Sequence, residues 1–134
     1  MDTLRGKIVL VTGASSGIGQ ATARAFAAEG AKLLLCARRQ EKLAELAQDL
    51  DQADDVYTFR LDVRDRAAVE ETLANLPEAW KAVAVLVNNA GLSRGLTKLY
   101  EDDPENWEEM LDTNVKGLLY VTRAIVPGMV ARAR

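Results

Sequence analysis

The chain has 134 residues, 49% of them hydrophobic and 28% charged, which is enough for one domain with a buried core. Its formal charge of −3, from 17 basic and 20 acidic residues, gives no global attraction for nucleic acid or an anionic membrane, and no run nears the ~20 apolar residues of a membrane span. With no histidine, Ser-His-Asp and Cys-His catalysis and most zinc sites are excluded from these residues, and the lone Cys36 allows no internal disulfide, which fits a reducing, cytoplasmic setting.

Met1 to Lys7 leads into an apolar run too short for a signal-peptide core. Lys7–Thr12 reads as a buried strand. The segment Thr12-Gly13-Ala14-Ser15-Ser16-Gly17-Ile18-Gly19 follows it and opens a helical pattern over Gly17–Glu29. Strand, glycine-rich turn and helix start together build a cradle for a dinucleotide pyrophosphate. Gly13 accommodates backbone angles that a side chain forbids, Gly17 admits the phosphates, and Gly19 lets the helix pack closely on the strand. The helix then points its N-terminal N–H groups at the anion. The spacing is Gly-x3-Gly-x-Gly rather than the commoner Gly-x-Gly-x2-Gly, so a turn that merely joins strand to helix is the plain alternative.

The second strand is Lys32–Ala37, where Cys36 follows Leu33-Leu34-Leu35 and is inert as a buried thiol. Arg38 and Arg39 come next, where a dinucleotide fold meets the adenosine ribose. An acid there binds the ribose hydroxyls of NAD, whereas two guanidinium groups suit a 2′-phosphate and so favour NADP. Two solvated surface arginines are the alternative, weakened because cations sit badly at the N-terminus of the next helix, Gln40–Leu50. Asp49 to Asp55 is an acidic surface turn. After a third strand, Val56–Leu61, Asp62 either accepts a hydrogen bond from an adenine amino group, with Val63 against the ring, or is a turn or capping residue before the helix Asp65–Leu76.

The fourth strand, Val83–Val87, ends in Asn88-Asn89-Ala90-Gly91. At the carboxyl end of a parallel strand these amides and small residues offer donors, acceptors and room for a ribose or nicotinamide; an asparagine-rich turn is the alternative. Ser93 and Arg94 follow, where they could face a substrate. The last helix, Asp103–Val126, starts with Asp103 as N-cap, Pro104 and Glu105. Its apolar positions Trp107, Met110, Leu111, Val115, Leu118, Val121 and Ile125 predict one buried face. Pro127-Gly128 should kink or end it, unless it resumes through Met129-Val130. Asn114 falls on the predicted buried face, either bonding backbone across the core or holding a water or lysine near a reaction site. Apolar strands alternating with helices predict one α/β domain over residues 1–134, a Rossmann-like doubly wound parallel sheet of about four strands.

Taken together, Thr12–Gly19, Arg38-Arg39, Asp62-Val63, Asn88–Gly91 and Asn114 resemble the short-chain dehydrogenases/reductases in order and spacing across the whole chain. The wording Leu86-Val87-Asn88-Asn89-Ala90-Gly91-Leu92 and Asp112-Thr113-Asn114-Val115-Lys116-Gly117, with Thr122-Arg123-Ala124 and Pro127-Gly128-Met129-Val130, is similar to one branch, the NADP-dependent 3-hydroxy acid dehydrogenases acting on serine or allo-threonine. The resemblance implies an oxidoreductase with pyrophosphate on Gly13, Ala14, Ser15, Ser16, Gly17 and Ile18, the 2′-phosphate of NADP on Arg38 and Arg39, adenine at Asp62 and Val63, and ribose at Asn89, beside Ala90 and Gly91. Asn114 is the position that anchors a water in the family's proton relay. The family's chemistry also needs a Ser and a Tyr-x3-Lys. Here Tyr57, Tyr100 and Tyr120 are followed four residues on by Leu61, Pro104 and Ala124. The expectation is therefore the cofactor-binding half of such an enzyme, inactive alone. Two further expectations concern packing: Val83–Val87 is an exposed sheet edge, and the chain is marginally stable or self-associates through that edge or the 103–126 helix.

Overall fold

A continuous apolar strand can be buried only if both faces of its sheet are covered. The computed structural model, which describes residues 3–50, 55–92 and 98–133, meets that requirement with helices on both sides. The elements run β1 (Ile8–Thr12), α1 (Gly17–Ala28), β2 (Lys32–Ala37), α2 (Gln40–Leu50), β3 (Val56–Arg60), α3 (Arg66–Ala74), β4 (Val83–Val87), α4 (Pro104–Leu111) and α5 (Leu118–Arg132). The parallel sheet has the order β3-β2-β1-β4. This is a Rossmann-like α/β fold, with boundaries within two residues of the sequence expectation except in the last helix.

Alternation along the central strands divides the core. Val9, Val11, Leu33 and Leu35 face α1 and α2 together with Ala23, Leu43 and Leu46. Leu10, Leu34, Cys36 and Phe59 face Val69 and Leu73 of α3 and Val121 and Ile125 of α5. Cys36 is fully enclosed, and burial pushes its thiol pKa up to about 12, so it stays an uncharged core residue. β4 has one strand neighbour among the described residues, as expected of an edge. Its start is partly covered by α5, from which Arg132 Nη2 donates to the Val83 carbonyl at 2.6 Å.

The last helix departs from its pattern in three ways. It is not one element: α4 gives way to a π-helical segment, Asp112–Gly117, before α5. It also continues past Val126 through Pro127 to Arg132, the alternative left open by Met129-Val130. Finally, the buried face runs through Thr113, Gly117, Val121 and Ile125, while Leu111, Val115 and Leu118 are exposed. The wider π turn rotates the residues that follow it, so the apolar stripes of α4 and α5 do not line up as one face. Asn114 lies in this segment and is exposed, contrary to its expected burial.

Leu34 has no solvent exposure in the middle strand pair, so Leu34→Ala should cost about 2–5 kcal/mol. Leu119→Ala, on the exposed side of α5, should cost less than ~0.5 kcal/mol. Urea unfolding of both variants checks the contrast.

Candidate functional site

A parallel sheet presents its ligand crevice at the carboxyl ends of the strands, where neighbouring connections diverge to opposite faces. Between β1 and β4 that divergence is held together by one hydroxyl. Thr12 is buried, and its Oγ1 accepts from the N–H groups of Asn89 and Ala90, each at 3.0 Å. Gly13 follows at φ +62°, and a Cβ there would lie 2.8 Å from the Ala90 Cα. Only glycine meets both conditions.

Ser16 caps α1: its Oγ accepts from the Gly19 N–H at 3.3 Å and donates to the Gly13 carbonyl at 2.9 Å. Asn89 Nδ2 donates to the same carbonyl at 3.0 Å and to Ser16 Oγ at 3.2 Å. A Cβ on Gly19 would collide with the Gly13 carbonyl oxygen and lie 2.7 Å from the Asn89 amide. The glycine turn is therefore locked against β4 from both sides. As the first residues of the helix, Gly17 and Ile18 have N–H groups without an intrahelical acceptor, and beyond Gly17 the space is open. These are the attributes of an anion cradle.

A cavity of about 340 Å³ runs from this turn across the ends of β2 and β3. It is lined by Gly13, Ser15 and Ser16 after β1, Asn89, Ala90 and Gly91 after β4, Arg38 and Arg39 after β2, and Val63 after β3. Those nine sequence-predicted residues are thus brought together. Five others supply the scaffold or lie just outside the lining. Ala14 is buried and its N–H donates to the Cys36 carbonyl at 3.1 Å. Gly17 and Gly19 belong to the turn and helix start, Ile18 is 75% exposed, and Asp62 lies between the lining residues Leu61 and Val63 without lining the cavity itself. Ser93 and Arg94 lie outside the described residues.

Sequence reasoning missed five lining residues: Ala37, Arg60, Leu61, Leu92 and Thr113. Thr113 is buried, and its hydroxyl has no hydrogen-bond partner among the described residues. Arg60 was hidden because only the register of β3 on β2, Ala37 opposite Arg60, carries it to the arginine pair. That register follows from tertiary pairing, and no local motif marks it.

Asp62 is held by its own neighbour. Arg64 donates Nε to Asp62 Oδ1 at 3.0 Å and Nη2 to Oδ2 at 2.8 Å, and the Arg64 backbone N–H adds a third bond to Oδ1 at 3.1 Å. Arg64 Nη1 also reaches Glu109 Oε1 at 3.2 Å, tying the loop after β3 to α4. Arg38 Nε stands 3.9 Å from Asp62 Oδ2. Above all through the Arg64 side-chain hydrogen bonds, the Asp62 carboxyl is held below the usual carboxylate range.

Asn114 pairs with the backbone of Leu92 in both directions: Nδ2 donates to the Leu92 carbonyl and Oδ1 accepts the Leu92 N–H, each at 2.9 Å. A Cβ on Gly91 would lie 3.0 Å from Asn114 Oδ1, so the absence of a side chain there matters. Asn88 reaches the other way, from Nδ2 to Thr122 Oγ1 on α5 at 3.0 Å.

The sequence matches the family model described as short chain dehydrogenase over residues 7–134, and the chain belongs to that family. It is 51% identical over 125 residues to the NADP-dependent 3-hydroxy acid dehydrogenase YdfG of Shigella flexneri, covering 93% of this chain and 50% of that protein. It is 49% identical over 123 residues to sulfoacetaldehyde reductase 2 of Chromohalobacter salexigens, covering 92% of this chain and 49% of that protein. A solved structure described as the closed form of serine dehydrogenase complexed with NADP+ matches with a TM-score of 0.87 at 51% identity, over 93% of this chain and 50% of that one. The chain spans about half the length of the curated relatives it matches.

Thr12→Val keeps the shape but leaves two N–H groups without their acceptor, and should cost about 1–3 kcal/mol in urea unfolding, with Thr12→Ser close to the parent. The lowered pKa of Asp62 means that its stabilisation is complete above the ordinary carboxylate value of about 4 and is lost as pH falls through the depressed one. Asp62→Asn should therefore be less stable than the parent near neutrality, and the gap should close on acidification below about pH 4. Urea midpoints across that range measure it.

Proposed function

We propose that this chain forms the NADP(H) site of an oxidoreductase that transfers hydride to or from a small hydroxy acid or alcohol. The observation that carries the reading is that Arg38, Arg39 and Arg60, after β2 and at the end of β3, line the same cavity as the glycine turn after β1. A cavity lined by both phosphate-binding backbone and guanidinium groups matches a dinucleotide with an extra phosphate on its adenosine ribose. The names of the relatives agree: one is NADP-dependent and one was solved with NADP+.

In this reading Gly13, Ala14, Ser15, Ser16, Gly17, Ile18 and Gly19 supply or support the pyrophosphate cradle. Arg38 and Arg39 hold the 2′-phosphate. Val63 lies along adenine, with Asp62 at its polar edge while still bonded to Arg64. Asn89, Ala90 and Gly91 flank the ribose. A cofactor held by these residues would donate the hydride in its reduced form and accept it in its oxidised form. Asn114, its amide spent on Leu92, is a positioning residue that fixes the loop beside the cavity, and its exposed side is where a relay water would be held. The substrate class follows the relatives' names, which join a 3-hydroxy acid, serine and sulfoacetaldehyde as small polar molecules. No tyrosine in these 134 residues has a lysine four positions on, so the function proposed for the chain alone is cofactor binding without turnover. No described helix is long and apolar enough to cross a membrane; the lone Cys36, which allows no internal disulfide, fits the cytoplasm as the proposed setting.

A second reading concerns association. Leu111, Val115, Leu118, Leu119 and Val130 are exposed, and β4 has one strand neighbour among the described residues. We propose self-association through the 103–126 helix or the β4 edge.

Fluorescence titration with NADPH and NADH tests the first reading. NADPH should bind the tighter, and Arg38→Ala/Arg39→Ala should remove the preference, weakening NADPH by at least roughly tenfold. Equal binding of both nucleotides, or of neither, sinks it. A sedimentation-velocity series in protein concentration tests the second: a monomer at every concentration ends it.

A further inference from the structure

We propose that Arg60, at the end of β3, is a specificity-determining residue that completes the clamp on the 2′-phosphate; the inference rests on the NADP(H) reading above. β2 and β3 run parallel with Ala37 opposite Arg60, and the Leu61 N–H donates to the Ala37 carbonyl at 3.0 Å. Arg60 therefore stands one strand spacing, about 4.8 Å, from the residue that precedes Arg38 and Arg39. Its neighbours Phe59 and Leu61 are buried in the core with α3, so alternation turns Arg60 away from them. All three arginines are exposed and line the same cavity.

Charge balance sharpens the assignment. The nearby carboxylate, Asp62, is occupied by Arg64 at 2.8 Å and also draws Arg38 at 3.9 Å. Among the described residues neither Arg39 nor Arg60 has an ion-pair partner. Two guanidinium groups thus stand without an ion-pair contact beside the start of α2, whose electropositive N-terminus carries one acid, Glu41, in its first turn. Like charges so placed repel each other, and an anion between them relieves the repulsion. A phosphate monoester carries roughly −1.5 to −2 charge near pH 7, which matches the two unpaired arginines, with Arg38 shared between the phosphate and Asp62. The planar guanidinium fork also suits phosphate oxygens. Stacking on the adenine ring is the competing role for Arg60, and the two differ in what they discriminate. A phosphate contact acts on NADP+ alone, while stacking acts equally on NAD+.

Calorimetric titration of the chain with NADP+, NAD+ and 2′-AMP separates these outcomes, using Arg60→Gln, Arg60→Lys and Arg38→Ala/Arg39→Ala. Arg60→Gln should weaken NADP+ and 2′-AMP roughly tenfold and leave NAD+ within about twofold, with Arg60→Lys in between. An unchanged urea midpoint confirms that the exposed position tolerates the substitution. Equal weakening of NADP+ and NAD+, or no change in either, overturns the role of Arg60 while the double variant still upholds the NADP(H) reading. A parent chain with no preference for NADP+ overturns both.

Discussion

The Thr12 hydroxyl accepts two backbone N–H groups from residues 77 and 78 positions further along the chain, and the whole carboxyl end of the sheet is arranged around that junction. β1 and β4 are adjacent in space but far apart in sequence, so no turn of their own can hold their ends together. Strand pairing stops at Val11 and Val87. Without the hydroxyl, the next two N–H groups of the β4 loop would be left in a partly buried place with no acceptor, at a cost comparable to a lost hydrogen bond. With it, Ala90 is fixed against Gly13, and the Asn89 amide reaches the Gly13 carbonyl and the Ser16 cap. The start of α1 is thereby aimed by contacts with β4 as well as by its own strand.

A second ordering follows from how cations and carboxylates are distributed around the cavity. Arg64, two residues from Asp62, satisfies that carboxylate with side-chain and backbone donors in a local turn that costs little chain entropy to close. Arg38 lies at the long end of ion-pair distance from the same carboxylate, and at 46% side-chain exposure its share of the stabilisation is weakened by solvent screening. Asp62 is therefore largely neutralised within the protein, and the cavity wall at Arg38, Arg39 and Arg60 is left positive. The glycine turn contributes directed N–H groups to the same cavity. The two attract anions by different physics, and their separation is set by the spacing of β1, β2 and β3.

Much of this was legible in the sequence because its causes are local or periodic. A strand buried on both faces is a continuous apolar run, as at Lys32–Ala37, and the half-buried edge Val83–Val87 is as plainly bounded by its own apolar run. The demands on Gly13, the cap at Asp103 and the closing arginines after β2 are also written in adjacent residues. What escaped depends on tertiary pairing. The place of Arg60 is fixed by register across two strands. The engagement of Asp62 by Arg64 depends on the fold of a loop whose sequence reads equally as a turn or a ligand contact. The exposure of Asn114 depends on a change of helical winding, and a period of 3.6 cannot anticipate it.

That change of winding has a physical basis at both of its ends. Gly117 is buried against Val63, where an added Cβ would lie 3.1 Å from the Val63 Cβ, so the helix comes closer to the cavity wall there than a side chain permits. Asn114, three residues earlier, presents its amide to the Leu92 backbone much as a neighbouring strand would, with donor and acceptor both matched at 2.9 Å. A regular α-helix advances about 100° per residue, so a continuous α4–α5 would carry a single apolar stripe through both elements. The wider turn breaks that stripe, leaving Val121 and Ile125 in the core but Leu111, Val115 and Leu118 facing outward. Exposing those side chains forfeits apolar burial, on the order of 1.5–3 kcal/mol for each one that would otherwise be fully buried. Two hydrogen bonds to an exposed loop, at about 1 kcal/mol each, do not offset it. The winding sets the Asn114 amide on the Leu92 loop and the Thr113 hydroxyl at the cavity, and it leaves the apolar stripe of α4 free for a partner surface.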